Sequence, residues 1–140
     1  MAIQTRQISP SGFTPTMGAY SHGLVLPIGD VELIFVTGQI AIDRDGALVS
    51  EDVSAQTEFV FQNIGKILAE AGAGFDSIVK VQIFLTDIND FKHVSPIRNK
   101  YLGVSKPVST LVQVSALVAP GCRVEIEVIA ARSVAGPKNS

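Results

Sequence analysis

Hydrophobic positions along the chain change their period several times, and each change marks an element. Residues 33–39, LIFVTGQ, form an apolar, β-rich run that reaches a glycine, and residues 42–46, IDRDG, place an Asp-Gly turn behind it. From Asp52 the period becomes helical. Val60, Ile64, Ile67 and Ala71 follow i, i+4, i+7, i+11 spacing, with Phe61 and Leu68 beside them, so one helical face is apolar. Asp52 can cap its start and Gly72 can end it. Residues 78–85 alternate again, with Val79, Val81, Ile83 and Leu85 on one face and Lys80, Gln82 and Phe84 on the other, the mark of a half-buried strand.

Asn89 and Asp90 are turn or cap residues. Ser95 and Pro96 then match a helix start, serine at the N-cap and proline at the first helical position, for a short helix over 96–102. Two last strands follow, residues 110–114 and 124–131. In the final one Val124, Ile126, Val128 and Ala130 point one way, and Glu125, Glu127 and Ile129 the other. Strands, helix, strand, helix and strands describe an α+β layer: a single mixed sheet with two helices on one face. The opposite face mixes carboxylates with Ile129 and Phe84. It is too apolar for a plain solvent surface, and such a face meets another subunit. A homo-oligomer is expected on this ground alone.

Composition narrows the picture. With 140 residues, 46% hydrophobic and 17% charged, the chain has the size of one domain, taken here as residues 1–140, able to bury a proper core. No linker or internal repeat interrupts it, and residues 136–140 read as a short polar tail. The N-terminus carries no signal-peptide run and nothing approaches the roughly 18 apolar residues of a membrane span, so a soluble, cytoplasmic protein without a membrane partner is expected. One cysteine, Cys122, leaves no intramolecular disulfide and fits a reducing compartment. Eleven basic residues against 13 acidic ones, with no basic block, offer no footprint for nucleic acid. His22 and His93 lack a third partner at ligand spacing, so no metal site is expected.

Several segments carry a resemblance. GAYSHG at 18–23, LIFVTGQIAID at 33–43, the stretch from DVSAQTEF to DINDF at 52–91, and VQVSAL with VEIEVIA near the end resemble the Rid family, the reactive intermediate deaminases, also called the endoribonuclease L-PSP family. The resemblance runs from about residue 8 to residue 132. It implies a chorismate-mutase-like fold and a homotrimer with ligand clefts between neighbouring subunits. It also implies hydrolysis of enamines and imines, such as 2-aminoacrylate, to keto acids and ammonia without metal or organic cofactor. By matching motifs, the tyrosine of the family's GPYSQ-type motif falls on Tyr20, the SGQ-type strand on Thr37 and Gly38, and the NDF asparagine on Asn89. The glutamate that helps place the attacking water falls on Glu125. The chemistry suits a carboxylate: water must attack an electrophilic carbon while a proton reaches nitrogen, and partial burial raises a carboxylate's pKa toward neutrality. A structural hydrogen bond at a subunit interface is the other reading of Glu125. Glu127 is read as structural.

One motif departs from the family. Active deaminases carry Pro-x-Arg-Ser before the VQV or VEV strand, the arginine gripping the substrate carboxylate. Here the register set by Pro107 and by Val112, Gln113 and Val114 puts Ser109 in the arginine's place, Thr110 in the serine's and Leu111 next to it. A hydroxyl cannot replace a two-donor guanidinium fork, and losing such a charge-assisted bond removes about 1.5–3 kcal/mol of binding. Arg123, two residues before Glu125, is the best substitute cation; Lys106 and Arg98 are read as solvated surface charges. Three function classes follow: a Rid-type imine or enamine hydrolase with an altered anchor at Ser109, a noncatalytic trimeric ligand-binding or chaperone-like protein, and a ribonuclease. The charge balance disfavours the last.

Overall fold

In the computed structural model, which describes residues 3–134, six strands form one sheet and two helices lie on one of its faces. The tail read over 136–140 lies outside the described residues. The strands are β1 (Arg6–Ile8), β2 (Gly23–Ile28), β3 (Val31–Gln39), β4 (Ile78–Leu85), β5 (Val108–Gln113) and β6 (Val124–Ser133). Helix α1 spans Val53–Glu70 and α2 spans Phe91–Leu102. The sheet order is β1-β2-β3-β6-β4-β5. Every pairing is antiparallel except β4 with β5, which are parallel and joined by α2 as a crossover. The mixed α+β layer expected from the pattern is present.

Helix α1 follows its sequence signals closely. Asp52 caps it, its side chain accepting from the Ala55 N–H, and the chain leaves through Gly72 at φ +77°, a left-handed turn that glycine adopts without strain. Val60, Phe61, Ile64, Ile67 and Leu68 are fully buried against the sheet, where Ile34, Val81, Ile83, Leu85, Val124, Ile126 and Ala130 meet them. The Asp-Gly turn is also present. The Asp43 carboxylate accepts from the Asp45 and Ala47 N–H groups, and Gly46 sits at φ +81°.

Three expectations need correction. Helix α2 begins at Phe91 and not after Ser95, with Pro96 inside it. The true start lies in a 3-10 turn over Ile88–Asp90, which Asp87 caps by accepting from the Asn89 N–H. The Ser95 hydroxyl instead accepts from Arg98. In β4, Val79 does not share a face with Val81. The register slips between Ile78 and Lys80 opposite β6, so Val79 is the extra residue of a bulge and is exposed while Ile78 is buried. Finally, two strands join the sheet that the pattern does not predict, β1 and β2. They carry the sheet outward from β3, β2 through a two-residue connection at Gly29 and Asp30.

Both helices are locked together by aromatics. Tyr101 of α2 stacks on Phe61 of α1 with centroids 4.8 Å apart, and Phe75 fills the remaining side. The Tyr101 hydroxyl donates to Glu58 at 2.6 Å, and Lys100 pairs with the same carboxylate. These bonds hold Glu58 below the ordinary carboxylate range, while burial, with Glu58 beside it, pushes Tyr101 up to about 12.

On the opposite face none of the described residues covers the sheet. Phe35 of β3 and Ile129 of β6 form a cross-strand pair there, next to Lys80, Gln82 and Glu127.

Candidate functional site

The strand that leads into the site is broken on purpose by its own residues. Between β3 and β6 the register passes from Val36 opposite Val128 to Gln39 opposite Ile126, so Thr37 and Gly38 together oppose Glu127. Two residues against one make a bulge, which bends the strand and opens the ladder. Glu125 uses the space. A Cβ at position 38 would lie 2.6 Å from its Oε2 and 2.9 Å from its Cδ, so only glycine lets the carboxylate lie against β3.

A cavity of about 550 Å³ opens at that point, and Glu125 faces it with Tyr20, His22, Thr37 and Gly38. The rest of the wall is chiefly apolar, with Phe13 and Met17 from the loop before β2, Ile40 and Ile42 after β3, and Val118 from the loop before β6. Among the described residues, no hydrogen bond reaches the Glu125 carboxylate. Burial pushes its carboxyl above the ordinary range, and the negative charge of Glu127 pushes the same way.

The loop carrying Tyr20 is tied to the bulge by polar bonds. Thr37 donates from its hydroxyl to the Ser21 carbonyl at 2.5 Å and from its N–H to the His22 carbonyl at 2.9 Å. Thr37 therefore fixes the loop rather than offering these donors to a ligand. Tyr20 accepts from the Met17 N–H at 3.1 Å, which leaves its own hydroxyl proton for a ligand or water. The His22 Nε2 lies 2.9 Å from the Thr14 carbonyl, an acceptor only, so Nε2 carries the proton. Its ring stands edge-on to Phe13 at 5.3 Å.

The other residues singled out in the sequence lie elsewhere in the chain. Arg123 is engaged by Asp90, a buried carboxylate, at 2.7 and 3.1 Å, and also donates to the Glu51 carbonyl. Asn89 is exposed in the turn just before Asp90. Ser109 and Leu111 pair with Val81 and Ile83 and so point to the helix side of the far sheet edge. Leu111 packs on the core. Ser109 lines a separate hollow of about 420 Å³ together with Arg98 and Lys106. Lys106 there adopts φ +46°, unusual for a side-chain-bearing residue. Within one chain, then, Glu125, Tyr20, Thr37 and Gly38 come together and Asn89, Ser109, Leu111 and Arg123 do not.

Some wall residues escaped the sequence reading. The sequence offers His22 only as a metal-ligand candidate, and among the described residues no cluster of three or more metal-binding side chains exists. Its position two residues after Tyr20 was the available signal, since an extended chain puts i and i+2 on one side. Phe13, Met17 and Val118 come from loops without periodicity. Cys122 is buried, and burial pushes its thiol up, which fits an unreactive residue.

Fold and site together define a small α+β protein with a half-buried carboxylate set against a chiefly apolar cavity. The chain belongs to the family described as Endoribonuclease L-PSP, whose pattern matches residues 13–132 and which is the Rid family of the resemblance above. It is 41% identical to a RutC family protein of Pyrococcus abyssi, covering 81% of this chain and 87% of that one. It is 37% identical to the rat 2-iminobutanoate/2-iminopropanoate deaminase, covering 97% of this chain and 94% of the rat protein. Among solved structures, a Rid-family protein of Yersinia pestis, YyfA, superposes with a TM-score of 0.80 at 37% identity, covering 91% of this chain and 98% of that one.

Proposed function

We propose that this protein hydrolyses imines or enamines in a cleft of a homotrimer, in a cytoplasmic setting, with Glu125 as the base. The observation that carries the reading is the Glu125 carboxylate: half-buried, without a hydrogen bond among the described residues, and seated by Gly38 at the wall of the cavity. The rat relative's name, a 2-iminobutanoate/2-iminopropanoate deaminase, supports the reaction class.

The reaction assigns a role to each group. A water held by Glu125 attacks the imine carbon as the carboxylate takes one of its protons, and Glu125 passes that proton to the nitrogen to give a carbinolamine. Glu125 then takes the carbinolamine hydroxyl proton and passes it to the NH2 group as the C–N bond breaks. Nitrogen leaves as ammonia and a carbonyl remains. Tyr20 has a hydroxyl proton available to steady the substrate or the developing hydroxyl. A base works best when its pKa lies near the working pH, and the raised carboxyl moves in that direction. The uncovered sheet face with Phe35 and Ile129 supports assembly, and the far edge bearing Ser109, together with the nearby turn at Asn89, is proposed to close a neighbour's cavity.

Imines generated in place by an amino-acid oxidase, with semicarbazide as competing trap, test the reading. Less semicarbazone and faster carbonyl release with wild type, abolished in Glu125→Ala, are expected. If no imine is hydrolysed faster than in buffer, the hydrolase reading fails. Ligand binding without turnover is the second reading. It is favoured by the serine at position 109 and by the engagement of Arg123 with Asp90. It predicts that binding survives Glu125→Ala.

A further inference from the structure

We propose that the natural ligand of the cavity is an apolar imine or enamine without a carboxylate, larger than the three- or four-carbon 2-imino acids. This inference rests on the hydrolase reading and names its substrate class.

Charge is the first ground. Among the described residues lining the 550 Å³ cavity, Glu125 is the only carboxylate and no lysine or arginine is present. A substrate carboxylate placed there would share a chiefly apolar space with a second negative charge. Repulsion between two such groups is strong where water is scarce. A neutral imine, or the iminium cation formed when it gains a proton, meets the opposite situation: the one charge in the wall attracts it. The cation with the best position in sequence, Arg123, already neutralises the buried Asp90 through two bonds, and withdrawing it would leave that carboxylate unpaired.

Size and surface chemistry are the second ground. The share of the cavity that one chain supplies, before a neighbour closes it, is about 550 Å³, of the order that holds drug-sized molecules, and a three-carbon imine fills a small part of it. Phe13, Met17, Ile40, Ile42 and Val118 are suited to an aliphatic or aromatic substituent, which gains from leaving water. Tyr20 and Glu125 then meet the polar C=N end. The hydrolysis is balanced with one water: R–CH=NH and H2O give R–CH=O and NH3, and an enamine enters after gaining a proton on carbon. An amine oxidation that releases a carboxylate-free imine is the class of reaction that would supply it.

The sheet edge holds the counter-argument. Arg98 and Lys106 flank Ser109 in the 420 Å³ hollow, and a neighbouring copy that brought them over the cavity would favour an anion. Matched substrates separate the two. The imine of 2-phenylethylamine, made by an amine oxidase, and the imine of phenylalanine, made by an amino-acid oxidase, share the phenyl group and differ in the carboxylate. At least tenfold higher kcat/KM for the carboxylate-free imine is expected, and equal or greater turnover of the phenylalanine imine overturns the inference while leaving the hydrolase reading intact. If neither is hydrolysed, the hydrolase reading falls and binding decides. Phenylacetone and phenylpyruvate differ by a methyl against a carboxylate, and calorimetry at one ionic strength compares them. Tighter binding of phenylacetone upholds the ligand class; equal or tighter binding of phenylpyruvate refutes it.

Discussion

Gly38 and Glu125 act as a pair, and the chemistry of one depends on the emptiness of the other. A methyl group at position 38 would push against the far end of a flexible side chain rather than against backbone. Gly38→Ala is therefore expected to fold with a stability change within about 1 kcal/mol, because Glu125 can swing aside. Imine turnover should fall tenfold or more, since the base has moved. Thermal melting beside the semicarbazide assay reads both; a variant that keeps full activity would detach Glu125 from the reaction. Glu125→Gln tests the electrostatics separately. The folded-state pKa of Glu125 lies above its unfolded value, so wild type loses stability as the pH rises through the folded pKa, and a neutral amide does not. The variant should melt higher than wild type at pH 8, and the gain should vanish at pH 4. The wild-type rate should drop with acid through the same group.

At the level of elements, legibility followed how local the signal was. Helix α1 could be read residue by residue because its cap, its apolar face and its Gly72 exit all lie in one segment. Strand β6 was equally clear, with Glu125 on the correct face. Helix α2 was misplaced because Ser95 and Pro96 imitate a start, whereas the working cap is Asp87 in a 3-10 turn that has no period. The bulge at Val79 was invisible for a similar reason: alternation continues through it in the sequence, and only pairing with β6 shows the slip. The site was half legible. Glu125 and Gly38 are linked by the sheet register, while Phe13, Met17 and Val118 reach the cavity through loop paths that no pattern encodes. One buried residue organises such a path. Gln56 of α1, fully buried, donates to the Ser50 and Gly121 carbonyls at 2.9 Å and accepts from the Arg123 N–H at 2.8 Å, so it anchors the loop that leads into Glu125. Gln56→Leu keeps the volume and strands three backbone groups, for an expected loss of about 2–4 kcal/mol by denaturant titration. A loss below 0.5 kcal/mol would mean that the loop is held by other contacts.

For the whole molecule the uncovered sheet face is the feature with the widest reach. Phe35 and Ile129 stand on it side by side, with Glu127 near them. In the proposed trimer this face is interior, and a charge placed there must either separate the subunits or be buried. Ile129→Lys is expected to change the sedimenting species from three chains of 14.8 kDa each to one, with imine turnover lost alongside. A wild-type protein that sediments as a single chain at micromolar concentration would remove the trimer. Retained activity in a monomeric variant would place the complete site within one chain.

Strand β5 hangs on the end of the sheet by a single neighbour, and of its six residues only Leu111 packs on the core. Little free energy resists its detachment, so its amide protons should trade with solvent deuterium through local opening, long before those of β6 do so. If a second copy seats against that edge, the trade should slow as protein concentration rises and quicken on dilution. The strand that bears Ser109 would then act as a built-in gauge of how many molecules have found their partners.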